Sequence, residues 1–404
     1  MNTNTTITAA AVAALLPLSF ATAETFPPHF SEAAELLLAD SVKIAPTEHQ
    51  LNIVYFYGCD FQPAKDHERR LSELFTYVQQ FYGQAMQRNG FGARSFGMAM
   101  LPNGNVDIIT IKGKLPHKDY PYNGGHGKVQ AEIAEYFAAH PEKLRSGHTF
   151  ILMPTWLDDK FSDENPGGVP YYGVGKTAFA MDYGDFDLQY LGDDTPKGRL
   201  LTKYLGGLAH ELGHALNLPH NNGTPDQNKA MGTPLMNAGN YTFGMKPTYL
   251  TKASCKILDT SETFAPKGCK TVFYTSQQDV KVTDQELTLE NNDTLVFKFH
   301  TNAKFKCVNA YIQDAPFAVN EDYEKVVFDE VEQDSADPTL YTVRMPLKDI
   351  ASLKGVQQHA GVGGIDLVFV EEEGSRHSYR VQFDWNAITP QGTPLRDIIH
   401  FKGC

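Results

Sequence analysis

Apolar residues follow two different rhythms along this chain, and the change between them divides it. From Leu51 to Gly58 the run LNIVYFYG is continuous, rich in aromatic residues and closed by glycine, which predicts a central strand. Leu71, Leu74, Phe75, Val78, Phe81 and Tyr82 then recur at spacings of three and four, so a helix is expected that Gly90 stops. A second helix is expected from about Lys128 to Phe137, a second buried strand in HTFILMPTW (His148 to Trp156), and another strand over Gly173 to Tyr183. A long helical pattern starts near Gly198 and runs into HELGH. Gly- and Pro-rich loops, YPYNGGHG (Tyr120 to Gly127) and NPGGVPYYG (Asn165 to Gly173), separate these elements, and their tyrosines are expected to be exposed. Beyond about Pro266 the period becomes two, in TLVFKFH, NAYIQ, TLYTVRM, IDLVFV and SYRVQFDW, with polar turns between. The pattern therefore predicts an α/β (α+β) domain over residues 24–265, followed by an all-β sandwich of immunoglobulin or fibronectin kind over 266–404, with a jelly roll as the alternative.

Composition changes this picture mainly at the start of the chain. Ala9 to Leu18 is apolar and is followed by Ala21-Thr22-Ala23, the small-x-small pattern of a cleaved export leader, so residues 1–23 read as a signal peptide. No Lys or Arg precedes the apolar stretch, which is unusual for such a leader. The mature protein is then expected to be secreted, extracellular or periplasmic, with no membrane span, because no later stretch reaches the ~20 apolar residues that one needs. A formal charge of −13 without a Lys/Arg cluster argues against nucleic acid as a partner. The five cysteines, Cys59, Cys255, Cys269, Cys307 and Cys404, are too few and too dispersed for a disulfide scaffold or a Cys-type zinc site. Cys255 and Cys269 are close enough in sequence for a local bridge, and the odd count leaves at least one thiol over.

The chemistry concentrates in His210-Glu211-Leu212-Gly213-His214, an HExxH whose helical spacing of four puts two imidazoles on one face, able to share one zinc ion. His220 follows His214 by six residues, the place of the last ligand in the metzincin pattern HExxHxxGxxH. Asn217 stands where that pattern has glycine. The position must end the helix and swing the chain back toward the metal through a left-handed backbone, and Asn adopts that conformation most readily after Gly. Pro219 cannot prolong the helix. Three imidazole ligands at about 2.0–2.1 Å leave a fourth position for water, the arrangement of a catalytic zinc, with Glu211 as its general base. Met236, in GTPLMNAGNYTFG, is the candidate for the methionine turn of metzincins, the alternative being a core filler. Tyr241 is a candidate oxyanion donor, or else an ordinary packed tyrosine. The run Gly173 to Tyr183 is the candidate sheet edge to which a peptide substrate would add as a strand, the alternative being an ordinary core strand.

The segments LNIVYFYG, ERRLSELFTYVQQFYGQAMQRNGFGARSFGM, MPTW, NPGGVPYYG, HELGHALNLPHN, LMNAGNYTFG and NAYIQDAPFAVNEDY closely resemble the O-glycopeptidases of mucin-degrading gut bacteria, including the Asn in place of Gly. The resemblance implies a zinc endopeptidase with one catalytic zinc ion, acting on O-glycosylated mucin-type glycoproteins and cutting on the N-terminal side of the glycosylated Ser or Thr. By position it assigns His210, His214 and His220 as zinc ligands and Glu211 as the catalytic glutamate, and places Tyr120, Tyr122, Trp156 and Tyr171 in glycan-facing loops. An aromatic face suits the apolar face of a sugar, although a tryptophan at a strand end also packs simply into a core. A monomer is expected. Two other readings remain: a general secreted metallopeptidase that needs no glycan, and a glycan-binding adhesin with a vestigial zinc site.

Overall fold

The computed structural model describes residues 41–314, 322–351, 353, 361–388, 395 and 398–401; the expected leader over residues 1–23 and Cys404 lie outside them. The first sheet is built from β1 (Asn52–Tyr57), β2 (Ile109–Lys112), β3 (Thr149–Pro154), β4 (Gly173–Val174) and β5 (Thr177–Asp182), in the order β2-β1-β3-β5-β4. All pairs are parallel except β4 with β5. The continuous apolar runs of β1, β3 and β5 suit strands covered on both faces, which is what parallel pairing through crossover helices produces.

Those covers are three helices. The helix α1 (His67–Arg88) and α2 (His126–Ala139) lie on opposite faces, and α3 (Pro196–Ala215) shares the α1 side. On that side Phe75 of α1 meets Phe150 edge to face at 5.5 Å, and the Tyr82 hydroxyl donates to the Ala209 carbonyl of α3. On the other, Ile133 of α2 and Ile151 of β3 line one cavity. Arg70 of α1 is buried and clamps Asp182 at the end of β5 through two hydrogen bonds, while Tyr55 donates a third to the same carboxylate.

One expected element is corrected. The strand read over Gly173 to Tyr183 is a hairpin: Gly175 takes φ 58° and turns the chain, so only Gly173–Val174 forms the edge, and Thr177–Asp182 is an interior strand paired on both sides. Two apolar stretches around a two-residue turn look continuous in sequence, and glycine supplies the positive φ that the turn requires. The short helices α4 (Pro225–Met231) and α5 (Lys252–Asp259) follow α3, with the two-residue strands β6 (Thr233–Pro234) and β7 (Thr248–Tyr249) pairing in parallel between them.

The rest of the chain is all β. One sheet holds β10 (Cys307–Gln313), β11 (Val326–Phe328), β14 (Val362–Val370), β15 (Arg376–Asp384) and β16 (Ile399–Phe401), in the order β11-β10-β14-β15-β16. The other holds β8 (Val282–Glu290), β9 (Thr294–Thr301), β12 (Val331–Gln333) and β13 (Leu340–Pro346), in the order β12-β13-β9-β8. Phe297 and Phe299 of β9 share a core with Ile312, Ile365, Phe369 and Val381, so the two sheets face each other. The outward residues Tyr311, Val327, Val368 and Val370 belong instead to the core of the α/β part. Hydrogen bonds seal this seam. Asn222 donates to the Lys325 carbonyl at 2.6 Å and accepts from the Val327 amide at 3.0 Å, and Asn309 donates to the Ala253 carbonyl at 3.2 Å. The β part is thus packed on, where a tethered module would leave that face wet.

Cys59, Cys255, Cys269 and Cys307 are all free thiols. Cys255 and Cys269 are therefore unbridged. Cys255 is sealed in the core, where burial pushes its thiol well up, while Cys269 stays partly accessible. No helix among the described residues is long and apolar enough to cross a membrane.

Candidate active site

The site is assembled on the end of α3. Thr195 caps its start by accepting from the Gly198 amide, and Pro196 occupies the first turn, where its missing N–H costs nothing. At the other end Asn217 takes φ 68°, the Leu218 amide donates to the Gly213 carbonyl and the Asn217 amide to that of His214. That pair of bonds is a Schellman motif, with Asn supplying the left-handed residue that glycine usually provides. The chain then reverses through Leu218 and Pro219 and delivers His220 to the other two imidazoles.

The three Nε2 atoms converge: His210 to His220 is 3.1 Å, His210 to His214 is 3.1 Å, and His214 to His220 is 3.0 Å. The ring tautomers follow from the opposite nitrogens. Nδ1 of His210 lies 2.7 Å from the Leu235 carbonyl and Nδ1 of His214 lies 2.9 Å from that of Leu218, and a carbonyl only accepts. With the proton on Nδ1, lone pairs face one another at Nε2, an unfavourable grouping without a cation between them. A tetrahedral site with N ligands at about 2.0–2.1 Å needs nitrogen separations of roughly 3.3 Å, so the trio fits a zinc ion with a slight expansion. Among the described residues it is the one group of three or more His, Cys, Asp or Glu with ligand atoms close enough to hold a metal.

Glu211 points from the same helix toward the edge strand, where the Gly173 amide donates to its carboxylate. Burial pushes this carboxyl up to about 7, against the lowering effect of that amide. Nothing larger than glycine fits at 173: a Cβ there would lie 2.6 Å from the Cβ of His214. Beneath the helix Met236 is fully buried, and a Cβ on Gly213 would lie 2.5 Å from its sulfur. The methionine thus supports the ligand helix directly, while the Leu235 carbonyl next to it orients His210.

The four aromatic residues expected in glycan-facing loops separate. Tyr122 is exposed and donates its amide to the Gly168 carbonyl, and the Trp156 amide donates to Gly167, so two loops meet on one glycine pair. Tyr171 is partly accessible beside Glu211, with its hydroxyl donating to the Tyr204 carbonyl at 2.9 Å; burial first, and then the glutamate's charge, hold its phenol well above the ordinary value. Tyr120 is corrected. It is fully buried against Phe56, its hydroxyl donates to Glu132 and accepts from the Leu115 amide, and its ring presents no face to a ligand. Tyr241 is largely exposed.

Several contributors escape sequence reasoning. Tyr172 donates to the Tyr122 carbonyl, stands edge to face with the Tyr122 ring at 5.4 Å, and its hydroxyl lies 2.9 Å from Nδ1 of His126, extending the aromatic surface. Asn221, fully buried, holds the His220 loop: its amide donates to the Met236 carbonyl, its side chain donates to Ser254 and accepts from Thr251. His148 caps the C-terminal end of α3, next to His214, by donating from Nδ1 to the Ala215 carbonyl at 2.7 Å, while its Nε2 accepts from Tyr274. Tyr323, from the β part, stacks on His220 with ring centres 3.8 Å apart, and its carbonyl accepts from Asn237.

No family model and no curated protein matches the chain. Solved structures do. Wild-type OgpA from Akkermansia muciniphila superposes with a TM-score of 0.81 at 43% identity, covering 89% of this chain and 99% of that one. The chain belongs to the OgpA family of O-glycopeptidases. A catalytically inactive OgpA in complex with an O-glycopeptide substrate, glycodrosocin, is equally similar, with a TM-score of 0.81 at 42% identity over 89% of this chain and 99% of that one. A second crystal form of the wild-type OgpA gives 0.79 at 43%, covering 89% and 98%.

Proposed function

We propose that this protein is an exported zinc endopeptidase that cleaves O-glycosylated, mucin-type polypeptides on the N-terminal side of a glycosylated Ser or Thr. The observation that carries the reading is the convergence of three imidazole Nε2 atoms within 3.0–3.1 Å of one another, with Glu211 alongside and facing an open strand edge. Membership in the OgpA family, and the O-glycopeptide bound to one of its members, support the substrate class.

His210, His214 and His220 would hold the zinc, which when bound supplies Lewis-acid polarisation of the scissile carbonyl and of the attacking water. Glu211 takes the proton from that water and later delivers it to the leaving amine. Burial raises the Glu211 carboxyl, which favours its holding the abstracted proton, while a cation held by the three imidazoles would favour the ionised form in which it acts as base. The edge strand β4 offers backbone groups to an extended substrate, so its peptide is gripped independently of sequence. On the Tyr171 side of that strand, the rings of Tyr122, Tyr172 and Trp156 offer apolar faces and hydroxyls of the kind that bind sugars.

Incubation with a mucin-type glycopeptide and its deglycosylated twin tests the reading, with product masses giving the cut position. We expect cleavage of the glycosylated peptide alone, immediately before the modified residue. Equal cleavage of both would replace it with a general metallopeptidase, and cleavage of neither would leave a binding protein.

A further inference from the structure

A cavity of about 380 Å³ opens beside the metal trio, between the two parts of the chain. One wall is Gly173, His214 and His220; the other comes from the β part and carries Lys325, Arg376, Arg380 and Asp366. Among its described lining residues this wall carries three cations and one carboxylate, in a chain whose net charge is −13. Asp366 is buried and already engaged, lying 3.1 Å from Nε of Arg380 and 3.8 Å from Nζ of Lys325. Arg376 differs. Its Nη1 donates to the Asn217 carbonyl and the residue is solvent-accessible at the cavity wall, but the surrounding protein desolvates its guanidinium and lowers its pKa, with Tyr311 and Asp366 opposing that shift and Arg380 adding to it. A guanidinium has five donors in a planar fork, so most of Arg376's capacity faces the cavity. The groove continues past Gly175 and Arg376 into a second space of about 580 Å³, which Lys176 also borders.

We propose that this cavity is an anion subsite, in which Arg376, backed by Arg380 and Lys325, receives a carboxylate that the substrate carries shortly before the cut bond. The inference rests on the peptidase reading above. A substrate strand antiparallel to β4, with its scissile bond at Gly173 beside Glu211, runs its preceding residues toward Gly175 and hence past Arg376. At about 3.3 Å per residue, the first few of them span the cavity. The carboxylate can belong to an Asp or Glu side chain, or to a sialic acid on a glycan attached upstream; both meet the same fork.

The test uses glycopeptides with one O-glycan at the cut position. One pair carries Asp or Asn two residues before the cut; a second pair carries a sialylated or an asialo glycan on an upstream Ser. For the wild-type protein we expect kcat/KM to favour the carboxylate member of at least one pair by roughly tenfold, the pair that responds naming the source. In Arg376→Gln that ratio should fall close to one, and a ratio within one protein is insensitive to partial loss of folding. Wild-type ratios near one in both pairs, or a preference that survives Arg376→Gln, would overturn the subsite. If no peptide is cut at all, the peptidase reading fails separately, and the same ratios read as dissociation constants on the Glu211→Gln protein still decide whether the cavity selects carboxylates.

Discussion

At the scale of single residues, two kinds of group carry the account. Glu211 is legible from sequence because HExxH fixes it beside two imidazoles; replacing it with Gln keeps shape and removes the base. Steady-state kinetics of Glu211→Gln should show kcat lowered by about 10²- to 10⁴-fold with the metal content retained; an unchanged kcat would rule out its role. His148 is invisible in sequence, since a lone His before an apolar run says nothing about a helix end that lies 67 positions away. Burial lowers its pKa from 6.5 to about 4. Above pH 6.5 both folded and unfolded chains hold a neutral ring. Between 6.5 and 4 the unfolded chain binds a proton that the folded chain does not, so stability falls with pH across that window, by about 3 kcal/mol in full. Denaturant titrations at pH 7 and pH 4.5 should show a smaller acid loss in His148→Gln than in the wild type.

At the scale of elements, the helix that ends in a left-handed Asn was readable because its turn chemistry is local. The bonds from Asn217 and Leu218 back to His214 and Gly213 involve neighbours only. The hairpin at Gly175 is not legible in sequence because a two-residue turn does not interrupt the strand-like run from Gly173 to Tyr183. The burial of Tyr120 was missed because a loop rich in Gly and Asn looks wet until Phe56 and Glu132 are known to close over it. The Asn217 turn gives a direct prediction. Asn217→Val, β-branched in a left-handed position, should cost about 1–2 kcal/mol and weaken zinc affinity through a displaced His220, whereas Asn217→Gly should stay within about 0.5 kcal/mol of wild type. Thermal melts with and without added zinc would check both.

At the scale of the whole molecule, the change of period along the chain announces the β-rich part whose first strand is Val282–Glu290, but not the way the two parts meet. Tyr311, Val368 and Val370 occupy the outward positions of strands whose inward positions fill the second core, and nothing in an alternating pattern tells a solvated face from a docked one. Because that face is apolar and Tyr323 stacks on the imidazole of His220, the β part helps to build the site. The two parts should therefore unfold together. Scanning calorimetry of the full chain is expected to give one transition that a chelator moves downward as a unit; two transitions, with only the first sensitive to chelation, would separate the β part from the site.

All of this turns on whether His210, His214 and His220 hold an ion. Elemental analysis of purified full-length protein, run in parallel with His214→Ala, measures it directly. One zinc per chain is expected in the wild type, with a loss of bound zinc in the variant. Wild-type protein that stays metal-free after dialysis against micromolar zinc, or a variant that retains the full complement, would contradict it.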